Sequence, residues 1–352
     1  MSPPICPRTS TPKLSIAPMM ERTDRYYRRM MRTITRCTLL YTEMVTTAAV
    51  LHGRRRDLLA YSPAEHPIAL QLGGDDPAAL TECAYMAEDL GYDEVNINVG
   101  CPSSRVQAGC FGVALMGHPD KVADAVHQMR ARVAIPVTVK HRIGFDEVDR
   151  YEDMLAFIDR VSESGCDRFT VHARKAWLKG LSPKENRTVP PLRHAEVWRL
   201  KQDRPGLEVE INGGITTLSE VEHHLQQVDG VMIGRGAYDH PMRFAEADTR
   251  IFGQDRDPLG IPSDPLEARE RVVRQMADYA ATLTGERDRP AHLARHMLTL
   301  YAGIPGARRW RRTLTEGLAT REPVHEILLR ALGIFAPSTH PAVGGPPQAP
   351  HP

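Results

Sequence analysis

The chain has 352 residues, 41% of them hydrophobic and 25% charged, with a formal net charge of +1. These are ordinary values for a soluble globular protein of one large domain, or a large and a small one, with a sizeable core. They exclude a global affinity for polyanions, so any nucleic-acid surface must be local. No apolar run approaches the roughly 20 residues that span a bilayer. Residues 1–12 are rich in Pro, Ser and Thr and lack the apolar segment of a secretory signal. Six scattered cysteines without a Cys-x-x-Cys pair argue against a metal site and a disulfide framework, and suggest a reducing cytoplasm.

After a disordered leader (1–12), Leu14 to Met19 reads as the first strand, ending in Ala17-Pro18-Met19. Asp24 to Thr35 reads as a helix with Thr23 as N-cap. Leu39 to Met44 and Ile68 to Leu72 are the next strands, the latter closed by Gly73-Gly74. Asp75-Asp76-Pro77 opens a helix to Leu90, its acids at the end that the helix dipole favours. Strand four, Glu94 to Val99, alternates and is rich in β-branched residues; it breaks at Gly100-Cys101-Pro102. Then come a helix (Pro119 to Arg132), strand five (Val137 to Lys140), a helix (Tyr151 to Ser162) and strand six (Arg168 to Val171). A helix (Glu196 to Gln202), strand seven (Glu208 to Ile211), a helix (Leu218 to Gln226) and strand eight (Gly230 to Ile233) complete the pattern.

Eight strands alternating with helices predict a parallel sheet covered by helices. The size fits an α/β (β/α)₈ TIM barrel over residues 13–252. An open doubly wound sheet is the alternative, but no G-x-G-x-x-G follows the first strand. A linker (253–265) leads to a small all-helical domain (266–335), and a Pro/Gly-rich tail (336–352) is expected to be disordered.

In such barrels the active site lies at the C-terminal strand ends, and strands seven and eight commonly hold a phosphate. Asn212-Gly213-Gly214 and Gly234-Arg235-Gly236 sit there, with glycines that let the backbone approach an anion and a cation beside them. Gln71, Lys140, Arg142, His172 and Arg174 lie at other strand ends. Such a ring suits a flat cofactor with one phosphate; FMN fits better than a dinucleotide.

With these motifs in order, the chain resembles the tRNA-dihydrouridine synthase family, and within it the A subfamily. The resemblance rests on Ala17-Pro18-Met19, Gln71-Leu72-Gly73, Asn96 to Pro102, Val137 to Lys140, Thr170 to Arg174, Asn212 to Gly214 and Gly234 to Gly236. Trp177 to Arg187 and Ser103 to Met116, with Arg105-Val106-Gln107, point to the subfamily. The resemblance implies an FMN barrel followed by a helical tRNA-binding domain, acting as a monomer with NADPH as electron donor. It implies FMN contacts from Ala17, Pro18, Met19, Gln71, Lys140, His172, Asn212, Gly213, Gly214, Gly234 and Arg235. Cys101 falls on the active-site cysteine, Asn98 on a position facing the target uridine, and Lys184, Arg187 and Arg295 in segments that contact tRNA. The subfamily is associated with positions 20 and 20a of the D-loop.

The implied reaction reduces the uracil 5,6 double bond: a hydride goes to carbon 6 and a proton to carbon 5. A thiol, with an ordinary pKa near ~8.5, arrives mostly protonated, so Cys101 suits the role of acid. Lys140 and His172 would stabilise charge on the reduced flavin. The target base must swing out of folded RNA. Arg287, Arg289, Arg295, Arg308, Arg309, Arg311 and Arg312, with Trp310 among them, form an arginine-aromatic combination suited to RNA. Arg54-Arg55-Arg56 and the set Arg22, Arg25, Arg28, Arg29 and Arg32 are further basic patches. Competing readings are a flavin barrel that reduces a free pyrimidine, and a non-enzymatic RNA-binding protein on a retired barrel.

Overall fold

The structure, a computed structural model, describes residues 11–53, 55–103, 111–260, 264–285, 288–320 and 322–335. Residues 1–10 of the expected leader, the Arg54–Arg56 side chains, Arg105-Val106-Gln107, Arg287 and the tail lie outside the described residues. The chain divides into two compact units, Met1–Ser263 and Asp264–Pro352.

The first unit is a closed parallel barrel in which each strand pairs with the next and β8 with β1. The strands are β1 (Leu14–Ile16), β2 (Leu39–Thr46), β3 (Ile68–Gly73), β4 (Glu94–Val99), β5 (Val137–Arg142), β6 (Arg168–His172), β7 (Val209–Asn212) and β8 (Gly230–Ile233). Closure excludes the open doubly wound alternative. β4, β8 and the helices Pro119–Arg132 and Tyr151–Ser162 have the predicted bounds. β5 and β6 run further than expected, through His141-Arg142 and His172, because Arg142 finds backbone carbonyls to bond and His141 packs among the surrounding helices.

Strand geometry sends alternate side chains to opposite faces. Along β4 to β7 those faces differ in chemistry. Val95, Ile97, Val99, Val139, Phe169, Val171 and Ile211 are buried and face the surrounding helices; His141, on the same side, packs on Phe157 of the helix Tyr151–Ser162. The inward positions are polar. Across the barrel base, Arg168 Nη2 donates to both oxygens of Glu94 at 2.7 Å, and the Tyr41 hydroxyl donates to Glu94 at 2.6 Å. Glu210 accepts from Ser15 (2.6 Å) and Thr170 (2.5 Å), with Arg168 Nε 3.8 Å away. Every charge here is fully buried, and each has partners, as burial demands.

Several local expectations are corrected. The helix Arg25–Ile34 is capped by Asp24, whose carboxylate accepts from the Tyr26 and Tyr27 N–H groups; Thr23 instead accepts from the Met19 N–H. Arg28 and Arg32 belong to no surface patch. Both are buried, Arg28 against Glu65 at 2.7 Å and Arg32 donating to the carbonyls of Thr35, Thr38, Glu65 and Pro67. Thr11, placed in the leader, is buried and donates to Glu208. Cys83, Cys101 and Cys166 are free. The segment expected as a linker begins within the first unit: Leu259 is buried and Asp257 accepts from Thr249.

The second unit consists of helices Pro265–Ala281, Pro290–Met297, Ala307–Ala319 and Val324–Leu332. Its core holds Trp310, which is fully buried, donates from Nε1 to the Met297 carbonyl at 2.8 Å and packs on Tyr301. Trp310 therefore does not stack on RNA. It turns inward with Leu314 and Gly317, while Arg308, Arg309, Arg311 and Arg312 are exposed on the remaining faces. Among the described residues no helix is long and apolar enough to cross a membrane.

Candidate active site

A cavity of about 660 Å³ opens at the C-terminal ends of the strands, a size usual for small-molecule sites. Its wall brings together Ala17, Pro18, Met19, Gln71, Asn98, Cys101, Lys140, His172, Arg187, Asn212, Gly213, Gly214, Gly234 and Arg235. Of the residues singled out from sequence, Arg174, Lys184 and Arg295 do not line it. Lys184 is exposed beside the short helix Glu185–Arg187, and Arg295 is half-buried in the helical unit, its Nε 3.3 Å from His296 Nε2.

The turn after β4 is held from two sides. Asn98 Oδ1 accepts from the backbone N–H groups of Gly100 (3.1 Å) and Cys101 (2.9 Å). Arg142 Nε donates to the Gly100 carbonyl at 2.9 Å, and its Nη1 to the carbonyls of Lys175 and Asn186 at 3.0 Å. Arg142 thus ties the cysteine turn to the 175–187 loop, a role that its place at a strand end did not disclose. Cys101 is half-buried at the cavity wall, its Sγ 3.6 Å from the Ser103 hydroxyl. Asn186, fully buried, closes the loop by bonding both the N–H and the carbonyl of Trp177.

Cations outnumber carboxylates at this mouth, where Glu21 and Asp239 also line the cavity and Asp239 lies 3.6 Å from Arg22. Lys140, Arg142, Arg174, Arg187 and Arg235 cluster here, and no carboxylate among the described residues pairs with any of them. Burial, reinforced by Arg142, pushes the Lys140 ammonium down to about 8; its one hydrogen bond is to Asn212 Oδ1, at 3.4 Å. Burial pushes Arg142 down to about 10. His172 is held well below the usual histidine value, by burial first and then by Arg142, Lys140, Arg174 and Arg235, so its ring is neutral. Like charges left without counter-charges are costly unless a ligand supplies the anion.

The two glycine loops leave room on the cavity side. Gly213 and Gly214 have φ of +125° and +78°, where an L side chain is strained. A Cβ on Gly214 would also come within 2.5 Å of Leu192. His194 Nε2 bonds the Gly213 carbonyl at 2.7 Å and holds the loop. Arg235, expected only at a phosphate, also donates to the Arg187 carbonyl at 2.9 Å, so one guanidinium joins the glycine loop to the Arg187 segment. Among the described residues no group of three or more His, Cys, Asp or Glu could hold a metal ion. Taken together the cavity offers hydrogen-bonding side chains and an excess of cations to a ligand with an anionic group.

Asn96, Thr138 and Glu94 were not singled out from sequence as site residues. They stand behind the wall, on the inward face of β4 and β5, and the alternation Glu94-Val95-Asn96-Ile97-Asn98-Val99 was the available signal.

Residues 15–333 match the sequence model of the family described as dihydrouridine synthase (Dus). Similar curated proteins are named tRNA-dihydrouridine(20/20a) synthase. The one from Synechocystis sp. is 51% identical over 319 residues, covering 91% of this chain and 93% of that protein. The Escherichia coli K12 protein is 52% identical over 328 residues, covering 92% of each. The Vibrio cholerae protein is 51% identical over 309 residues, covering 88% of this chain and 92% of that protein.

Proposed function

The chain belongs to the dihydrouridine synthase family, and from that premise we propose that it reduces uridine to dihydrouridine at positions 20 and 20a of the tRNA D-loop, with FMN bound in the barrel mouth. The observation that carries this reading is the meeting of Cys101, Asn98, Lys140, His172 and two glycine loops in one cavity, where Lys140, Arg142, Arg187 and Arg235 have no carboxylate ion-pair partner among the described residues.

The residues fit FMN. Lys140 is a cation with no ion-pair partner among the described residues, beside a neutral His172, and Gly213-Gly214 and Gly234-Arg235 offer backbone and guanidinium N–H groups to a phosphate. Gln71 and the Ala17-Pro18-Met19 segment border the ring. When bound and reduced by NADPH, FMN supplies the hydride that adds to carbon 6 of the uracil ring. Cys101 delivers the proton to carbon 5, a form of general-acid help worth about 10²- to 10⁴-fold. Asn98 holds the Cys101 backbone in place and turns its amide toward the base. Arg187 and Lys184 on the loop beside the mouth, and Arg295 with Arg308, Arg309, Arg311 and Arg312 on the helical unit, meet tRNA phosphates. The protein acts in the cytoplasm, as a monomer.

Mapping dihydrouridine in tRNA from cells lacking this protein tests the proposal. Uridine appearing at 20 and 20a is the expected result; an unchanged map overturns it.

A further inference from the structure

A single file of side-chain hydrogen bonds runs through the barrel, from the buried base to the reacting cysteine. Glu94, anchored by Arg168, accepts from the Thr138 hydroxyl at 2.7 Å. The Thr138 oxygen accepts from Asn96 Nδ2 at 2.8 Å. Asn96 Oδ1 accepts from Gln71 Nε2 at 2.8 Å, and Gln71 Oε1 accepts from Asn98 Nδ2 at 2.9 Å. Asn98 Oδ1 ends the file on the Gly100 and Cys101 N–H groups. Strand register makes this possible: Asn96 lies beside Gln71 on one side and Thr138 on the other.

The file has a direction. A carboxylate only accepts and a backbone N–H only donates, so the two ends dictate which way each amide between them is turned. Reversing an amide would set two donors or two acceptors face to face, and at Asn96 it would do so without solvent access, since Asn96 and Thr138 are 0% exposed. Such a mismatch costs far more than a normal hydrogen bond gains. Gln71 and Asn98 both line the cavity. With their oxygens engaged in the file, each has one amide hydrogen left for the cavity.

We propose that Thr138 and Asn96 are positioning residues for the reaction. Through the file they fix Gln71 and Asn98 with N–H donors toward the cavity, complementary to the carbonyl oxygens of a flavin and a uracil ring, and they hold the turn that carries Cys101. The inference rests on the flavin-dependent reading above. It concerns residues that touch neither cofactor nor substrate.

The test compares purified holoenzymes. Thr138→Val keeps shape but removes both hydrogen bonds; Thr138→Ser keeps both. The expected result for Thr138→Val is an altered visible absorption spectrum of the bound flavin, weaker FMN retention and a kcat lower by roughly ten- to a hundredfold, with the tRNA KM within about threefold of wild type. Thr138→Ser should restore all of these. A purely structural role would lower the melting temperature and leave the spectrum and kcat of the folded fraction alone. A wild-type spectrum and kcat in Thr138→Val, or equal failure of Thr138→Ser, overturns the proposal. Should Thr138→Val fail to fold, Asn96→Leu, which removes the bonds to both Thr138 and Gln71, carries the same expectations, and wild-type behaviour there overturns it too. A colourless wild-type protein would instead sink the flavin-dependent reading itself.

Discussion

The two ends of the barrel interior handle charge in opposite ways. At the base, Arg168 faces Glu94 and Glu210, and Tyr41, Ser15, Thr138 and Thr170 complete the hydrogen bonds. At the mouth, Lys140, Arg142, Arg187 and Arg235 share a wall and have no carboxylate ion-pair partner among the described residues, the Glu21 and Asp239 carboxylates of the same wall lying elsewhere on it, Asp239 against Arg22. One end spends its polar groups on each other; the other keeps them for something that binds. The contrast teaches where to look for function in such a barrel: at the end where the charge does not balance.

Substitutions at each end sharpen that contrast. The largest effect should come from Cys101→Ala, with dihydrouridine formation falling by about 10²- to 10⁴-fold while bound flavin and its reduction by NADPH are retained; a stopped-flow comparison of the two half-reactions checks it, and full activity would refute the acid role. At the base, Arg168→Met strands Glu94 without its cation. Urea denaturation should show a stability loss of about 3–5 kcal/mol, and a loss under 1 kcal/mol would break the claim that the base is structural.

Next in size is an acid-sensitive term from His141. Burial holds its pKa down to about 4, below the ordinary value of about 6.5. The unfolded chain therefore takes up a proton that the native state refuses, and stability falls as pH drops from about 6.5 toward 4, by up to roughly 3 kcal/mol. His141→Asn should flatten denaturation midpoints measured across that window. The smallest effect belongs to Lys140→Met. With no carboxylate ion-paired to it, the variant should be at least as stable as wild type at neutral pH, yet lose FMN affinity and activity. Lys140 titrates near 8 when folded and higher when unfolded. Its cost to stability is thus present below about 8 and relieved as pH rises toward about 10.5, and that rise should vanish in the variant. A large destabilisation would show that Lys140 has a structural partner after all.

Much of this was legible in the chain itself. Alternation in Glu94 to Val99 located β4 to the residue, and Gly213-Gly214 with Gly234-Arg235 marked the mouth. Family resemblance, not periodicity, singled out Asn98 and Arg187. Other features needed three dimensions. Lys140-His141-Arg142 looks like a strand's end because its charges suit solvent, whereas here β5 continues, with Lys140 and Arg142 at the cavity and His141 packed on Phe157 outside the barrel. Arg28 and Arg32 read as surface charge, since nothing local shows that Glu65 and four backbone carbonyls await them. Trp310 read as an RNA-stacking group because arginines flank it. The missed sign was its helical spacing with Leu314 and Gly317, which makes it core. The file from Glu94 to Cys101 was invisible because its members come from three strands and meet only through register.

The burial of Trp310 has an optical consequence. The chain has three tryptophans. Trp177 and Trp198 belong to the barrel unit and are partly open to solvent, whereas Trp310 alone reports on the helical unit, sealed between Tyr301 and Phe335. Its emission should be blue-shifted and shielded from iodide quenching, so a Trp177→Phe, Trp198→Phe protein carries its own fluorophore for following the helical unit's unfolding separately from the barrel's.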